Sequence, residues 1–470
     1  MKTSNVIYAR DVKKMGILGK RIKTDIIIIG GGLTGVCAAV AARRTGARVL
    51  LLEKNQFLGG MATGAWIHSC LTFHGKKGHK IVGGIPQEII DKLVAVGGSP
   101  GHIRDTIGVA YSVTPTDPEK LKLILQTLLD KEGVRYFLDT RFTDAEMDGN
   151  RINSIRGINC AGTFEAEAPA YIDASGEGIL AATAGDSFES GRDGKTQPAT
   201  LIFKVRNVDI KKAVEYALNN RGDFHHETIF SLLETSPAPG LSGFFTLWNR
   251  ANLSVPRDRL LFYQTLYGDE VGINSTRIPD FDPLDPYNVT FSQKKARIQM
   301  FEILNFLKDW IPGFEKCVLT GEAPLMGIRE VRRIKGKYFL KGEDLLVGRR
   351  FPDEVALGGF PIDIHTPGSS TIESDEIGAD GYYGIPYRCL LPERTPNLLI
   401  AGKCVSADFF AHASARVQAT SMAMGQAAGA AAAIAVLKGV EPVDLNTEDV
   451  KKAVVKLGGI LSPDTIDDLL

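Results

Sequence analysis

The fold is decided by the stretch DIIIIGGGLTG at residues 25–35. Its four consecutive isoleucines predict a strand that is buried on both faces. The alanine-rich segment after it predicts a helix that runs to Thr45 and ends before Gly46. The run VLLLE at residues 49–53 predicts a second strand. A strand, a glycine turn, a helix and a strand within about thirty residues are typical of a nucleotide-binding βαβ unit.

The glycines of this turn form the pattern G-x-G-x-x-G at Gly30, Gly32 and Gly35. We expect Gly30 to allow the tight turn, Gly32 to let the backbone approach a pyrophosphate, and Gly35 to let the helix pack closely on the strand. The helix N-terminus then offers free N–H groups and the positive end of its dipole. Glu53, at the end of the second strand, is placed to accept hydrogen bonds from both ribose hydroxyls. This fingerprint is shared by FAD and NAD sites.

The composition argues against a nucleic-acid-binding protein. Lys and Arg together number 55 and Asp and Glu also number 55, so the formal net charge is zero, whereas nucleic-acid binders normally carry a basic excess. The six cysteines form no C-x-x-C pair, which removes the usual patterns of a redox dithiol, a zinc ribbon or an iron–sulfur cluster. They predict reduced, mostly buried thiols and a cytoplasmic location.

The sequence carries no sign of secretion or of a membrane. Residues Met1–Lys23 are basic and lack an apolar core, so we do not expect a secretory signal. The longest apolar stretch, Met422–Leu437, is rich in Ala and Gly and shorter than a bilayer requires. We expect this stretch to form a buried helix.

The distribution of motifs along the chain predicts two domains, one inserted into the other, and a tail. No glycine motif occurs in the middle of the chain, where amphipathic patterns at 208–218 and 292–307 predict helices. The predicted order is a nucleotide-binding domain over residues 24–196, an inserted substrate or cap domain over 197–321, the return of the first domain over 322–440, and a helical tail over 441–470.

Shorter elements are predicted from local signals. Asp117 is placed to cap a helix from Pro118 to Lys131, with proline at the first helical position. Alternating runs predict strands, and Asp148-Gly149 predicts a hairpin between the first two; the runs are Arg135–Leu138, Arg151–Ile158 and Phe164–Ile172.

A set of longer blocks identifies a family. They are IIIIGGGLTG, LLLEKNQFLGGMATG, GGIPQEIIDKL, YIDASGEGILAATAG, GIREVRRIKGKYFL, GGFPIDIH, GIPYRCLLPE and NLLIAGKCVS followed by GQAAGAAAA. In this order they resemble the FAD-dependent oxidoreductase family of bacteria and archaea, flavoproteins related in fold to fumarate reductase and succinate dehydrogenase flavoprotein subunits. The resemblance runs from Asp25 to Leu437, with a gap between Gln197 and Gly321. It implies an α/β fold: a Rossmann-like FAD-binding domain of the glutathione-reductase type with an inserted α+β substrate or cap domain.

The resemblance also implies that the cofactor is FAD. Related subunits attach FAD to a histidine, but this sequence lacks that local motif, which predicts non-covalent binding. In the family's matching block Thr and Asp stand where this chain has Ser175 and Glu177, and Arg stands where it has Lys403, a change that keeps the charge but loses a bidentate donor. The implied cofactor residues are Gly30, Gly32, Leu33, Thr34, Gly35, Glu53 and Lys54 on the ADP half, Gly59, Gly60, Met61 and Thr63 beside the pyrophosphate and flavin, and Asp173, Ser175, Gly176, Glu177, Gly402 and Lys403 where the chain returns.

Two pairs of residues are candidates for the chemistry. Arg329 and Arg333 lie four apart, so they share a face on a helix and also on a strand; they predict either an anion site for a substrate carboxylate or a cluster paired with acids such as Glu330. His412 and Arg416 have the spacing of the HGANR stretch of succinate dehydrogenase flavoproteins, and this resemblance implies an arginine that binds a substrate carboxylate. The alternative is a packed histidine and an arginine that caps a loop.

Asp363 and His365 lie two residues apart and face the same way on an extended segment. Two ligands do not make a metal site, so we expect a hydrogen-bonded loop and no metal.

The predicted function is an FAD-dependent oxidoreductase that transfers a hydride between flavin N5 and a small polar substrate, preferably one with a carboxylate. Because only one G-x-G-x-x-G occurs, we expect no separate nicotinamide domain. Two alternatives stay open: an FAD-fold binding or chaperone protein without turnover, and a flavoprotein subunit that passes electrons to a partner. The predicted partners are a small-molecule substrate and either a second copy of the chain or an electron-transfer protein, with neither nucleic acid nor membrane.

Overall fold

The computed structural model describes residues 21–366 and 372–463. The predictions for most of the basic N-terminal segment and for the last residues of the tail lie outside these ranges. The α-helices are α1 (Leu33–Thr45), α2 (Met61–Gly64), α3 (Ile85–Ala95), α4 (Pro118–Lys131), α5 (Ile179–Thr183), α6 (Ile210–Asn219), α7 (Phe245–Ala251), α8 (Pro286–Trp310), α9 (Gly342–Leu346), α10 (Phe409–Ala415), α11 (Gln418–Lys438) and α12 (Thr447–Lys456).

The strands fall into several sheets. They are β1 (Arg21–Lys23), β2 (Ile26–Ile29), β3 (Val49–Leu52), β4 (Ser69–Leu71), β5 (Ile103–Arg104), β6 (Ser112–Pro115), β7 (Arg135–Phe137), β8 (Arg141–Asp148), β9 (Arg151–Asn159), β10 (Gly162–Glu167), β11 (Ala170–Asp173), β12 (Phe188–Glu189), β13 (Phe203–Arg206), β14 (Gly240–Gly243), β15 (Leu260–Gln264), β16 (Val271–Ile273), β17 (Val318–Glu322), β18 (Arg333–Ile334), β19 (Glu354–Gly358), β20 (Ile362–His365), β21 (Ile372–Asp375), β22 (Tyr383–Pro386) and β23 (Leu398–Ile400).

A parallel sheet forms the centre of the molecule. Its five strands stand in the order β23-β11-β2-β3-β7, and every neighbouring pair runs parallel. All four isoleucines of β2 are buried, as expected for a strand with helices on one side and a second sheet on the other. Of these five strands, the first in the sequence, β2, lies in the middle of the sheet, and the last, β23, lies at one edge. The predicted Rossmann-like α/β architecture is therefore confirmed.

Helices α1 and α11 pack directly against each other on one face of this sheet. α1 ends at Gly46, which has φ +114° and whose N–H bonds back to the carbonyls of Ala42 and Arg43, as predicted. A Cβ on Gly425 would lie 2.2 Å from the Thr34 carbonyl oxygen, and one on Gly429 would lie 2.0 Å from that of Ala38. The two backbones therefore touch, and only glycine fits at these positions of α11.

The predicted apolar helix is longer than expected. It spans 21 residues as α11, so the expectation that it is too short for a bilayer is wrong. By length and composition alone it passes as a membrane span, the one such helix in residues 21–366 and 372–463, but 78% of its apolar window is buried inside the protein. The burial of this helix is as predicted, and its contact with α1 explains it.

The strands after α4 differ from the prediction in two ways. The hairpin at Asp148-Gly149 joins β9 to β8, a strand that the sequence analysis missed, and not to β7, which lies in the central sheet. The predicted single strand at 164–172 is two strands. Pro169 lies between them and has no N–H to donate, so β10 pairs with β9 whereas β11 pairs with β2.

The segment between β12 and β18 builds a sheet and a core of its own. The sheet has the order β14-β15-β16-β13-β17, and its core includes Phe203, Phe262 and Leu307. α8 is longer than the predicted 292–307 because Asp285 accepts a hydrogen bond from the Tyr287 N–H and Pro286 opens the helix. These first turns carry too few buried residues to show an amphipathic pattern.

Candidate functional site

The glycine turn between β2 and α1 has the predicted geometry. Gly30 has φ +104°, a conformation that favours glycine. A Cβ on Gly35 would lie 1.8 Å from the Gly30 carbonyl oxygen, so α1 lies too close to the turn for any side chain there. A Cβ on Gly32 would instead meet only the Gly60 Cα, at 3.8 Å. Gly32 therefore borders open space, and no side chain caps the first N–H groups of α1.

Glu53 is held in a fixed orientation at the end of β3. Its carboxylate accepts hydrogen bonds from the backbone N–H groups of Gly31 (2.6 Å) and Asn55 (2.8 Å) and from the Asn55 side-chain amide (2.6 Å). Burial raises the pKa of Glu53. Because a carboxylate offers about four lone-pair directions, these bonds leave capacity for ribose hydroxyls on the cavity side.

The loop before α2 forms the wall opposite the glycine turn. Gly59 and Gly60 have φ of +101° and +55°, and the Gly59 N–H donates to the Gly31 carbonyl at 2.8 Å. Thr63 is fully buried, and its hydroxyl donates to the Leu58 carbonyl at 2.5 Å. Thr63 thus fixes the loop and does not line the cavity, unlike Gly59 and Gly60.

The loop after β11 closes the same cavity. Asp173 is buried and accepts bonds from the Ser175 hydroxyl (2.6 Å) and from the N–H groups of Leu180 (2.8 Å) and Ala181 (3.1 Å). It therefore positions the loop without reaching the cavity. Glu177, which does line the cavity, forms an ion pair with Lys54.

Lys403 contributes a buried cation to this cavity. Its Nζ donates to the Ile328 carbonyl at 2.7 Å, and burial lowers the pKa of Lys403 to about 8. Gly402 has φ +80°, and a Cβ there would lie 2.7 Å from the Thr34 Oγ1. Gly402 therefore allows close packing, whereas Lys403 lines the cavity.

The cavity bounded by these loops has a volume of about 290 Å³. Among the predicted cofactor residues, those lining it are Gly30, Gly32, Leu33, Thr34, Glu53, Lys54, Gly59, Gly60, Met61, Ser175, Gly176, Glu177 and Lys403. The sequence analysis missed Phe281, Val289 and Gln293, which come from the inserted segment, and Gln418 at the start of α11. It also missed Thr140, Arg141 and Phe142, which line an adjoining cavity of about 160 Å³ beside Glu53.

A larger second cavity of about 760 Å³ lies beside the first. The inserted segment contributes a large part of its wall, from β14 to β16, and the first domain contributes Trp66, His68 and Arg329. Burial lowers the pKa of His68 to about 4 and that of His225 to about 4. Both imidazoles are therefore neutral at pH 7.

Asp363 and His365 lie together in this second cavity, as an interacting pair. His365 Nε2 is 3.3 Å from Asp363 Oδ2, and Arg277 lies 3.2 Å from Nδ1. The arginine can only donate, so Nε2 carries the proton that faces Asp363. Burial lowers the pKa of His365 to about 3. Although burial alone would raise the pKa of Asp363, His365, Arg416 and Arg329 hold it below its usual range.

Arg329 and Arg333 do not converge on one group. The segment that holds Arg329 forms neither a helix nor a strand, which removes the geometry on which that prediction relied. Arg329 donates to the Pro198 carbonyl at 2.5 Å and lines the second cavity. Arg333 is 1% exposed and bonds Glu330 at 2.7 Å, with its other nitrogens bound to Glu189, Gly191 and Ala407. These bonds use four of the five guanidinium N–H donors, and Arg333 lines neither of the two cavities.

His412 lies in the middle of the short helix α10, and Arg416 follows the helix as its C-terminal cap. His412 is fully buried and its Nε2 is 2.8 Å from the Lys403 carbonyl; burial holds its pKa well below the usual range. Arg416 lines the first cavity, and its Nε has no hydrogen-bond partner among the described residues. Burial lowers the pKa of Arg416, and Asp363 and Glu330 oppose that effect. Of this pair, only Arg416 faces ligand space.

The first cavity and its extension fit FAD. The open space in front of Gly32 and the uncapped N–H groups of α1 suit a pyrophosphate, and Glu53 beside the extension suits the ribose of an adenosine. Lys403 and Arg416 also line this cavity and offer positive charge to the phosphates or to a reduced flavin ring.

Comparison with known proteins supports this cofactor. A model of the family "FAD dependent oxidoreductase" matches residues 25–454. Among curated proteins, thiamine thiazole synthase of Aeropyrum pernix is 42% identical over 50 residues, which cover 11% of this chain and 17% of that protein. The chain thus matches less than a fifth of that relative's length.

Solved structures with a similar fold are distant in sequence. A geranylgeranyl bacteriochlorophyll reductase-like protein from Thermoplasma acidophilum has a TM-score of 0.47 at 12% identity, covering 93% of this chain and 84% of that one. p-Nitrophenol 4-monooxygenase from Pseudomonas putida DLL-E4 has a TM-score of 0.48 at 10% identity, with the same coverage of both chains. It is the family match, over nearly the whole chain, that identifies the protein: the chain belongs to the FAD dependent oxidoreductase family, and the prediction of FAD as its cofactor is confirmed.

Proposed function

We propose that the protein transfers a hydride between FAD and a polar, carboxylate-bearing small molecule bound in the second cavity. The observation that carries this proposal is the position of Arg416. It lines the cofactor cavity, yet it lies close enough to Asp363 and Arg329 of the second cavity to lower the pKa of both groups. When bound, FAD supplies the hydride donor or acceptor at N5.

We assign to Arg416 the role of binding the reacting end of the substrate. Its Nε has no partner in the part of the chain that the structure describes, and a planar guanidinium binds a carboxylate or carbonyl oxygen with good geometry. Asp363 stays ionised beside it and balances its charge before a substrate enters. Arg416 therefore orients the carbon that exchanges the hydride.

We assign to His68 the role of accepting the substrate's proton. Its Nδ1 is 3.0 Å from the Trp66 carbonyl, so Nδ1 carries the hydrogen. Its Nε2 is buried without a hydrogen-bond partner among the described residues, and His68 lines the second cavity. A neutral imidazole with a free lone pair can accept a proton from a substrate hydroxyl or amine as the hydride leaves.

The test is anaerobic reduction of the bound flavin by a panel of hydroxy and amino acids, followed at the flavin absorbance. With a donor in hand, we expect Arg416→Ala to bind FAD but to reduce it about a hundredfold more slowly. Arg388→Ala is the control, because Arg388 is an exposed arginine that pairs with Asp353. Equal reduction rates in Arg416→Ala and the parent would contradict the proposal.

We further propose a cytoplasmic location. All six cysteines are free and five of them are buried, which suits a reducing compartment. Cysteine alkylation of the protein in freshly lysed cells would contradict this if it revealed disulfides.

A further inference from the structure

The second cavity contains a buried arginine, Arg257, that forms no ion pair with any residue the structure describes. Arg257 is 7% exposed and lies in the loop between α7 and β15. Its Nε is buried without a hydrogen-bond partner, and within the described residues none of its guanidinium nitrogens forms a hydrogen bond or an ion pair. Buried charges in proteins are normally paired, so an unpaired one calls for a partner from outside the chain.

The backbone of Arg257 is held firmly although its side chain is not. Its N–H donates to the Val255 carbonyl at 2.7 Å, and its own carbonyl accepts the indole N–H of Trp248 at 2.7 Å. Pro256 directly before it fixes one backbone angle. The loop thus presents the guanidinium at a defined place on the cavity wall.

The neighbouring charges do not supply the missing partner. Asp258 pairs with Arg259 at 2.7 Å, and Asp363, which lies beside the neutral His365, is shared with the other arginines of the site. Burial, with Arg277 and Arg259 adding to it, lowers the pKa of Arg257 to about 9. At pH 7 the side chain is still charged. The groups around it include more arginines than carboxylates. An anion entering here would relieve that imbalance.

We propose that Arg257 binds a carboxylate of the substrate at the end of the second cavity formed by the inserted domain, away from the flavin. The inference rests on the proposed function and extends it: the substrate is a medium-sized organic acid whose acidic group is remote from the reacting carbon. Arg257 lines only the second cavity, whereas Arg416 lines the cofactor cavity. A volume of about 760 Å³ is within the range of sites for drug-sized molecules.

The side chains that line the second cavity indicate the chemistry of the rest of this acid, apart from its carboxylate. The aromatic residues that line this cavity include Trp66, Phe245 and Tyr263. Aromatic faces favour an apolar or aromatic body. One unpaired guanidinium matches one carboxylate, which it binds through two parallel hydrogen bonds.

Binding of simple probes to the FAD-loaded enzyme tests the assignment. We expect 3-phenylpropionate to bind at least tenfold more tightly than its neutral amide, as measured by calorimetry. Arg257→Met and Arg257→Lys should weaken binding of the acid by tenfold to a hundredfold and leave the amide unchanged. Arg250→Ala is the matched control, since Arg250 is an exposed arginine of the same domain. Equal affinity of Arg257→Met and the parent for the acid would overturn the proposal.

The thermal stability of the ligand-free enzyme gives a second readout. If Arg257 is kept for a ligand, Arg257→Met removes an unpaired buried charge and should raise Tm by about 2 °C or more. A lower Tm with unchanged acid binding would show a structural role and overturn the proposal. Tighter binding of 3-phenylpropyl phosphate than of the carboxylate would overturn the choice of carboxylate. Acid binding that depends on Arg257 without flavin reduction by any donor supports the site but contradicts the proposed function.

Discussion

Replacing Gly32 by alanine should separate folding from cofactor binding. Gly32 has φ −64° and ψ 175°, which alanine adopts without strain. Its Cβ would meet only the Gly60 Cα, at 3.8 Å, an ordinary contact distance. The added methyl group therefore costs the ligand-free protein nothing, but it projects into the space that we assign to the pyrophosphate.

The two expected effects have opposite signs. In the ligand-free protein, Gly32→Ala should raise the free energy of unfolding by about 0.4–1 kcal/mol, because alanine restricts the unfolded chain. In the FAD-bound protein, a methyl group forced into a packed contact costs about 1–3 kcal/mol. At about 1.4 kcal/mol per factor of ten, this weakens FAD binding by roughly five- to 150-fold.

The measurements are urea unfolding of the apoprotein and titration of the apoprotein with FAD, followed by quenching of flavin fluorescence. Gly222→Ala is the control, because a Cβ there meets nothing within 4 Å and Gly222 lies in the inserted domain; it should leave FAD affinity unchanged. The added stability that FAD confers at a fixed concentration should shrink in Gly32→Ala alone. Parent-like FAD affinity in Gly32→Ala would refute the placement of the pyrophosphate at this turn.

Two further predictions concern buried ionisable groups. Glu330→Gln leaves the buried Arg333 with only the partly exposed Glu189 as a carboxylate partner, so urea unfolding should show a loss of about 1.5–3 kcal/mol; a loss below about 1 kcal/mol would contradict the buried pair. Because the folded pKa of His68 is about 4 against an ordinary value of 6.5, the unfolded state binds a proton that the folded state does not bind until lower pH. Stability should therefore fall as pH falls from 6.5 to 4, and His68→Gln should remove up to about 3 kcal/mol of that loss; an unchanged pH dependence of unfolding in His68→Gln would contradict this pKa.

The cofactor site could be predicted largely from sequence because its parts are local. The turn at Gly30, Gly32 and Gly35 follows from steric needs within one βαβ unit, and the structure places each glycine as those needs require. The family resemblance, and not the turn, implies Thr63, Asp173 and Gly402 as cofactor residues. In the structure their contacts fix the loops that border the cavity, and a sequence motif does not distinguish such a residue from one that lines the cavity.

The substrate side could not be predicted because it depends on contacts between distant segments. Arg257 and His225 belong to loops without any motif, and they reach the second cavity only through the sheet of the inserted domain. For Arg333 the spacing leaves two alternatives open, an anion site shared with Arg329 or a pair with acids such as Glu330. The structure has the second, because the segment of Arg329 is irregular and Arg333 binds Glu330 together with Glu189 from elsewhere in the chain.

The backbone contact between α1 and α11 sets the order of events during synthesis. Gly425 lies against the Thr34 carbonyl, within the turn that holds the pyrophosphate, yet α1 leaves the ribosome near the beginning of translation and α11 near its end. At about 5–20 residues per second, tens of seconds separate the two. Until then the alanine-rich face of α1 lacks its cover, which makes the nascent chain a substrate for chaperones. A product that stops before Gln418 lacks this brace and should fail to retain FAD, so cofactor loading occurs after translation has nearly finished.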